Sequence, residues 1–103
     1  MPKVAMIAKL TAVDGKRDEL VAAFDKLFDA VEQEEGTELY VLNEDAGDPN
    51  VVWFYEMYRD NDALGVHGSS DAMKDLMGSL GGIVGAAPEM HMLQPRKAKG
   101  LAI

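Results

Sequence analysis

Hydrophobic positions along the chain change period repeatedly, and each change marks an element. Val4–Thr11 alternates, with Val4, Met6, Ala8 and Leu10 on one face and Ala5, Ile7 and Lys9 on the other, as a strand does. After Asp14-Gly15 the apolar residues Leu20, Phe24, Leu27, Phe28 and Val31 recur at helical spacing, predicting a helix from about Lys16 to Glu34. Asp14 is the expected cap of that helix. Gly36 is the expected stop, in a left-handed conformation. A second strand follows over Thr37–Asn43, then a turn at Gly47-Asp48-Pro49-Asn50, with Pro49 suited to the first corner of a type I turn. Val51–Tyr58 is a third strand. Asp60 caps a short helix ending near His67, and Ser69 or Ser70 caps another carrying Met73, Leu76, Met77 and Leu80 on one side. Gly78, Gly81, Gly82 and Gly85 mark a loose apolar loop, and Glu89–Gln94 is a last strand stopped by Pro95.

The order β-α-β-β-α-β predicts an α+β, ferredoxin-like fold with both helical segments on one side of a four-stranded antiparallel sheet. The other side is then bare. Four of the seven aromatic residues (Trp53, Phe54, Tyr55, Tyr58) sit on the third strand and project to both of its faces. A strand apolar on both faces needs two covers. The helices supply one, and a second copy of the chain is the natural other, so a homodimer is expected.

Composition narrows the chemistry. The 103 residues suit one core burying roughly 60–70% of the unfolded surface. The expected division is a domain over residues 1–95 and a basic tail over 96–103, whose Arg96, Lys97 and Lys99 can meet an acidic partner subunit. A net charge of −8 argues against nucleic acid or an anionic membrane as partner. Without cysteine there is no disulfide, iron–sulfur or thiol chemistry. Two histidines leave little for a transition-metal site, and no loop has a calcium-ligand rhythm. No signal-peptide or membrane-spanning run is visible, so a cytoplasmic protein is expected.

Three pieces in order, Glu34-Glu35-Gly36 with Tyr40, Glu56-Met57-Tyr58-Arg59-Asp60, and Ala63-Leu64-Gly65-Val66-His67, resemble the pattern of the antibiotic biosynthesis monooxygenase family, including its quinol monooxygenases. Leu93-Gln94-Pro95 is similar to the closing strand of the quinol-oxidising members. Two positions depart from the pattern. Tyr58 stands where the family usually has tryptophan, and Asp71-Ala72-Met73 lacks a histidine often found there. The resemblance implies a dimeric α+β barrel, and oxygenation of a quinol-like or phenolic aromatic by dioxygen without flavin, haem or metal. Haem-degrading members carry Asn, Trp and His where this chain has Ala8, His67 and Met77. Anthrone-oxidising members carry Asn, Trp and Tyr where it has Phe54, Tyr58 and Leu64. Neither specialised branch transfers.

Such chemistry needs a proton handler in an apolar pocket. His67 is the obvious one because an ordinary imidazole titrates near neutrality; the bland reading is a helix-end histidine on terminal carbonyls. Glu56 lies on the same strand face as Phe54 and Tyr58. Burial would make it a base, whereas a hydrogen bond or Arg59 would make it structural. The candidate catalytic residues are His67, Glu56 and Tyr58, and Phe54, Leu64, Met73 and Met77 are expected to bind substrate. Trp53 and Tyr55 are assigned to the subunit interface, and His91 to structure or interface. Two alternatives stay open: an isomerase or degradative enzyme for a small oxygenated metabolite, and a non-catalytic binding protein.

Overall fold

The computed structural model describes residues 2–103; Met1, with which the expected domain begins, lies outside them. Strands β1 (Val4–Thr11), β2 (Thr37–Glu44), β3 (Val51–Tyr58) and β4 (Glu89–Leu93) form one antiparallel sheet in the order β2-β3-β1-β4. Helices α1 (Arg17–Ala23) and α2 (Asp25–Val31) connect β1 to β2, and α3 (Asn61–Gly68) and α4 (Asp71–Ser79) connect β3 to β4. This is the ferredoxin-like order with each helical segment divided in two.

The first division was not visible in the apolar spacing. The helix expected to run unbroken from Lys16 to Glu34 breaks at Phe24, whose N–H bonds back to the carbonyl of Val21, three residues earlier (3.1 Å). Such a tightened turn divides the helix, yet Leu20, Phe24, Leu27 and Val31 all stay on the buried side. The Phe24 ring then stands 4.8 Å from that of Phe54 in the core, which also holds Leu20, Leu27, Val52, Leu76 and Leu80.

Capping divides in the same way. Asp60 and Ser70 act as expected, accepting from the backbone N–H groups of Ala63 (2.8 Å) and Met73 (3.1 Å). Asp14 does not cap α1; the cap position is Lys16, without a side-chain bond, and Asp14 accepts instead from the Asn50 amide at 3.1 Å. Pro49 follows Asp48, whose carbonyl accepts from Val51 N–H (3.3 Å) to close the expected turn.

Gly36 is not left-handed. Positive φ among the described residues is confined to Gly15, Gly82 and Gly100. A methyl group at Gly36 would overlap the Ala63 side chain, so this glycine serves close approach of two elements. The glycine-rich loop is not loose either. Val13 N–H donates to Ile83 (2.7 Å), Gly85 N–H donates to Thr11 (2.8 Å), and Val84 bridges Ala12.

The two faces of the sheet differ. Val52, Phe54, Glu56 and Tyr58 of β3 point beneath the helices and are buried. Tyr55, between them, is 50% exposed on the opposite face, with Val41 and Leu93 also exposed. Tail residues Pro95, Ala98, Leu101 and Ile103 share with Leu39, Tyr55 and Met57 a hollow of about 460 Å³ on that face. The tail therefore lies beside its own sheet.

Candidate active site

The site grows from two short-range features. On β3, Glu56 and Tyr58 are two residues apart, so strand alternation puts them on one face. On α3, Ala63 and His67 are four apart, so helical spacing puts them on one stripe, which faces inward. The Asp60 cap fixes where α3 begins.

Tertiary packing joins them. His67 is 2% exposed, and its Nδ1 lies 2.9 Å from Oε1 of Glu34, in the turn between α2 and β2. Thr37 Oγ1 donates to the same oxygen at 2.8 Å. The imidazole stands against two tyrosines, with ring centroids 4.9 Å away for Tyr40 and 5.3 Å for Tyr58. The Tyr58 hydroxyl donates to Oε1 of Glu56. Glu56 pairs in register with Tyr40 on β2 and Met6 on β1, so the sheet carries the tyrosine and the carboxylate side by side. Phe54 closes the group from below, 5.5 Å from Tyr40.

Burial governs the charges. It raises Glu56 above the ordinary carboxylate range, opposed by the Tyr58 hydrogen bond and by His67. Burial, then the bond to Glu56, pushes the Tyr58 hydroxyl far above the ordinary tyrosine value. Tyr40 moves the same way, from burial and then from Glu56 and Glu34. Both tyrosines therefore stay protonated, and Tyr58 serves as a donor, not a base. Nδ1 of His67 is engaged by Glu34, and no hydrogen bond to Nε2 is formed among the described residues.

The structure thus gathers His67, Glu56, Tyr58 and Phe54. Leu64 is half-buried on α3, and Met73 is half-buried against the core. Met77 is 60% exposed and does not join Phe54 and Tyr58; the inward stripe of α4 is Met73, Leu76 and Leu80. Phe54 and Tyr58 are themselves sealed, at 1% and 0% exposure. Arg59, a possible partner for Glu56, faces Asp60 at 3.5 Å. Glu34 and Tyr40 were missed as site residues, although both stand in the segment that carries the family pattern. No group of three or more His, Asp or Glu among the described residues is arranged to hold a metal ion.

The chain belongs to the antibiotic biosynthesis monooxygenase family, whose model matches residues 3–78. Among solved structures it is similar to a Caulobacter crescentus CB15 protein provisionally assigned as an antibiotic biosynthesis monooxygenase (26% identity, TM-score 0.87, covering 93% of this chain and 92% of that one). It is also similar to Rv0793 of Mycobacterium tuberculosis (26% identity, TM-score 0.84, 93% and 97% covered). PA3566 of Pseudomonas aeruginosa, at 21% identity and TM-score 0.85 over 94% and 97% of the two chains, shares the fold. No curated protein matches the chain. No helix among the described residues is long and apolar enough to cross a membrane.

Proposed function

We propose that the chain is a cofactor-independent monooxygenase for a quinol-like or phenolic aromatic, acting as a cytoplasmic homodimer. The observation that carries this reading is the acid–base cluster of His67, Glu56 and Tyr58, set in an aromatic wall of Phe54 and Tyr40, within a chain of this family. Nε2 of His67 takes the proton of a substrate hydroxyl. The phenolate is electron-rich enough to reduce dioxygen itself, a C–O bond forms at the ring, and the hydroperoxide loses water to leave a quinone carbonyl. One phenol and one dioxygen give one quinone and one water, so no outside reductant is required. Tyr58 and Glu56 hold the proton that the departing water needs. Apolar walls keep bulk water from the anion.

The homodimer reading rests on the apolar side chains left on the open face and in the tail, Tyr55, Val41, Leu93, Leu101 and Ile103. The functional test is oxygen uptake with reduced naphthoquinones and related phenols, with no cofactor added. Acceleration that His67→Ala abolishes supports the reading; no acceleration across a broad aromatic panel overturns it.

One observation favours a second reading. Phe54 and Tyr58 are sealed, leaving little room for a large ring system, while His67 and Glu56 offer two proton carriers in one cluster. That suits isomerisation of a small oxygenated metabolite. Turnover that persists without oxygen would select it.

A further inference from the structure

The two motif segments that run through Gly36 and Ala63 are far apart in the chain but form one contact. Gly36 follows Glu34 by two residues, and its carbonyl accepts from Arg59 N–H at 2.8 Å. A Cβ on Gly36 would stand 3.4 Å from Cα of Ala63 and would overlap the Ala63 side chain outright. Ala63 shares its helical stripe with His67, one turn on. The smallness of residues 36 and 63 therefore sets how near the turn carrying Glu34 comes to the helix carrying His67. At that separation the Glu34 carboxylate reaches Nδ1 at 2.9 Å, steadied by the Thr37 hydroxyl on the same oxygen.

We propose that Glu34 is a positioning residue for His67, and that the Gly36–Ala63 contact sets the distance over which it acts. A carboxylate oxygen only accepts, so Nδ1 carries the hydrogen and Nε2 of the neutral ring is left with its lone pair free. The ring is pinned between Tyr40 and Tyr58, so it cannot offer either nitrogen at will. Nε2, the nitrogen that Glu34 does not engage, becomes the proton acceptor. A substrate must then bring its hydroxyl to the ring edge away from Glu34. This inference rests on the reading of His67 as the proton acceptor, but its first test does not need turnover.

The test is long-range proton–nitrogen NMR of the full chain labelled in its histidines, at mildly alkaline pH. Free histidine in the same buffer provides the reference for an unconstrained ring. The expected wild-type signal for His67 is the Nδ1–H tautomer. In Glu34→Ala it moves to the Nε2–H tautomer that an unconstrained histidine side chain prefers. Gly36→Ala shifts it the same way, and the swap Gly36→Ala with Ala63→Gly restores it, because the methyl is only exchanged across the contact. A folded Glu34→Ala protein that keeps Nδ1–H overturns the proposal, as does a swap that recovers nothing lost in Gly36→Ala. If Gly36→Ala does not fold, the Glu34→Ala spectrum still decides. With an active substrate, Glu34→Ala lowers kcat tenfold or more at nearly constant KM. A wild-type protein with the Nδ1–H signal but no oxygen uptake would sink the proposed function and leave this inference standing.

Discussion

The two faces of strand β3 are built from alternate residues of one eight-residue segment, yet they end in different states. Beneath the helices, Phe54, Glu56 and Tyr58 are buried with every polar atom that is sealed from solvent paired. On the other face, Tyr55 stands half-exposed between Trp53 and Met57, and the chain's own tail leaves a hollow beside it. On β3 the helical face is completed within one subunit, whereas Met90 and Met92 of β4, in register with Ala8 and Met6, stay exposed. The open face has apolar surface but no finished cover. A residue's type therefore says little about its role here; Tyr55 and Tyr58 differ in which side of the pleat they occupy.

Substitutions should break that contrast unequally. Phe54→Ala removes a sealed ring from the helical face and should cost about 3–5 kcal/mol in denaturant unfolding. A loss as small as that of an exposed residue would mean that this face is not the core. Tyr55→Asp should leave the monomer fold nearly unchanged while making light scattering report single subunits at micromolar concentration. An unchanged dimer would remove the open face as the interface.

The smaller effects are electrostatic. Burial holds Glu56 above the ordinary glutamate range, so the folded chain binds a proton that the unfolded chain has released. Stability should then fall as pH rises from the ordinary glutamate value toward the raised one, by about 1.4 kcal/mol for each unit within that window. Glu56→Gln keeps an acceptor for Tyr58 and should flatten the profile; an equally steep fall in the variant would assign it elsewhere.

On the opposite face the sign reverses. The Trp53 indole N–H donates to Asp45 at 2.8 Å, and this bond, with backbone N–H groups of Asp48 and Gly47, holds the Asp45 carboxyl down to about 2. Its contribution is present above the ordinary aspartate range and is lost as pH falls through about 2. Because the group is partly exposed, Asp45→Asn should produce the smallest change of the set, visible as an altered acid titration of the emission from Trp53, the chain's one tryptophan.

Much of this is legible in the sequence alone. Asp60 and Ser70 cap their helices within three residues, and β3 displays its faces by simple alternation. The break at Phe24 was hidden because a turn tightened from i−4 to i−3 hardly disturbs the spacing of apolar residues. Helical period alone also admits Met77 to the inner stripe, but Met73, Leu76 and Leu80 fill that stripe without it and Met77 faces outward. Asp14 has the chemistry of a cap, but the Asn50 amide, 36 residues away, competes for its carboxylate.

The site shows the division most clearly. Local sequence determined that Glu56 and Tyr58 share a face, that Ala63 and His67 share a stripe, and that the elements follow in ferredoxin-like order. These are matters of helical and pleated periods, which any short segment carries within itself. Only the tertiary structure decided that His67 meets Glu34, 33 residues earlier, and that Gly36 earns its place by contact with Ala63 and not by a left-handed turn. Such contacts depend on how two elements approach in space, and that distance is set by the packing of the whole core.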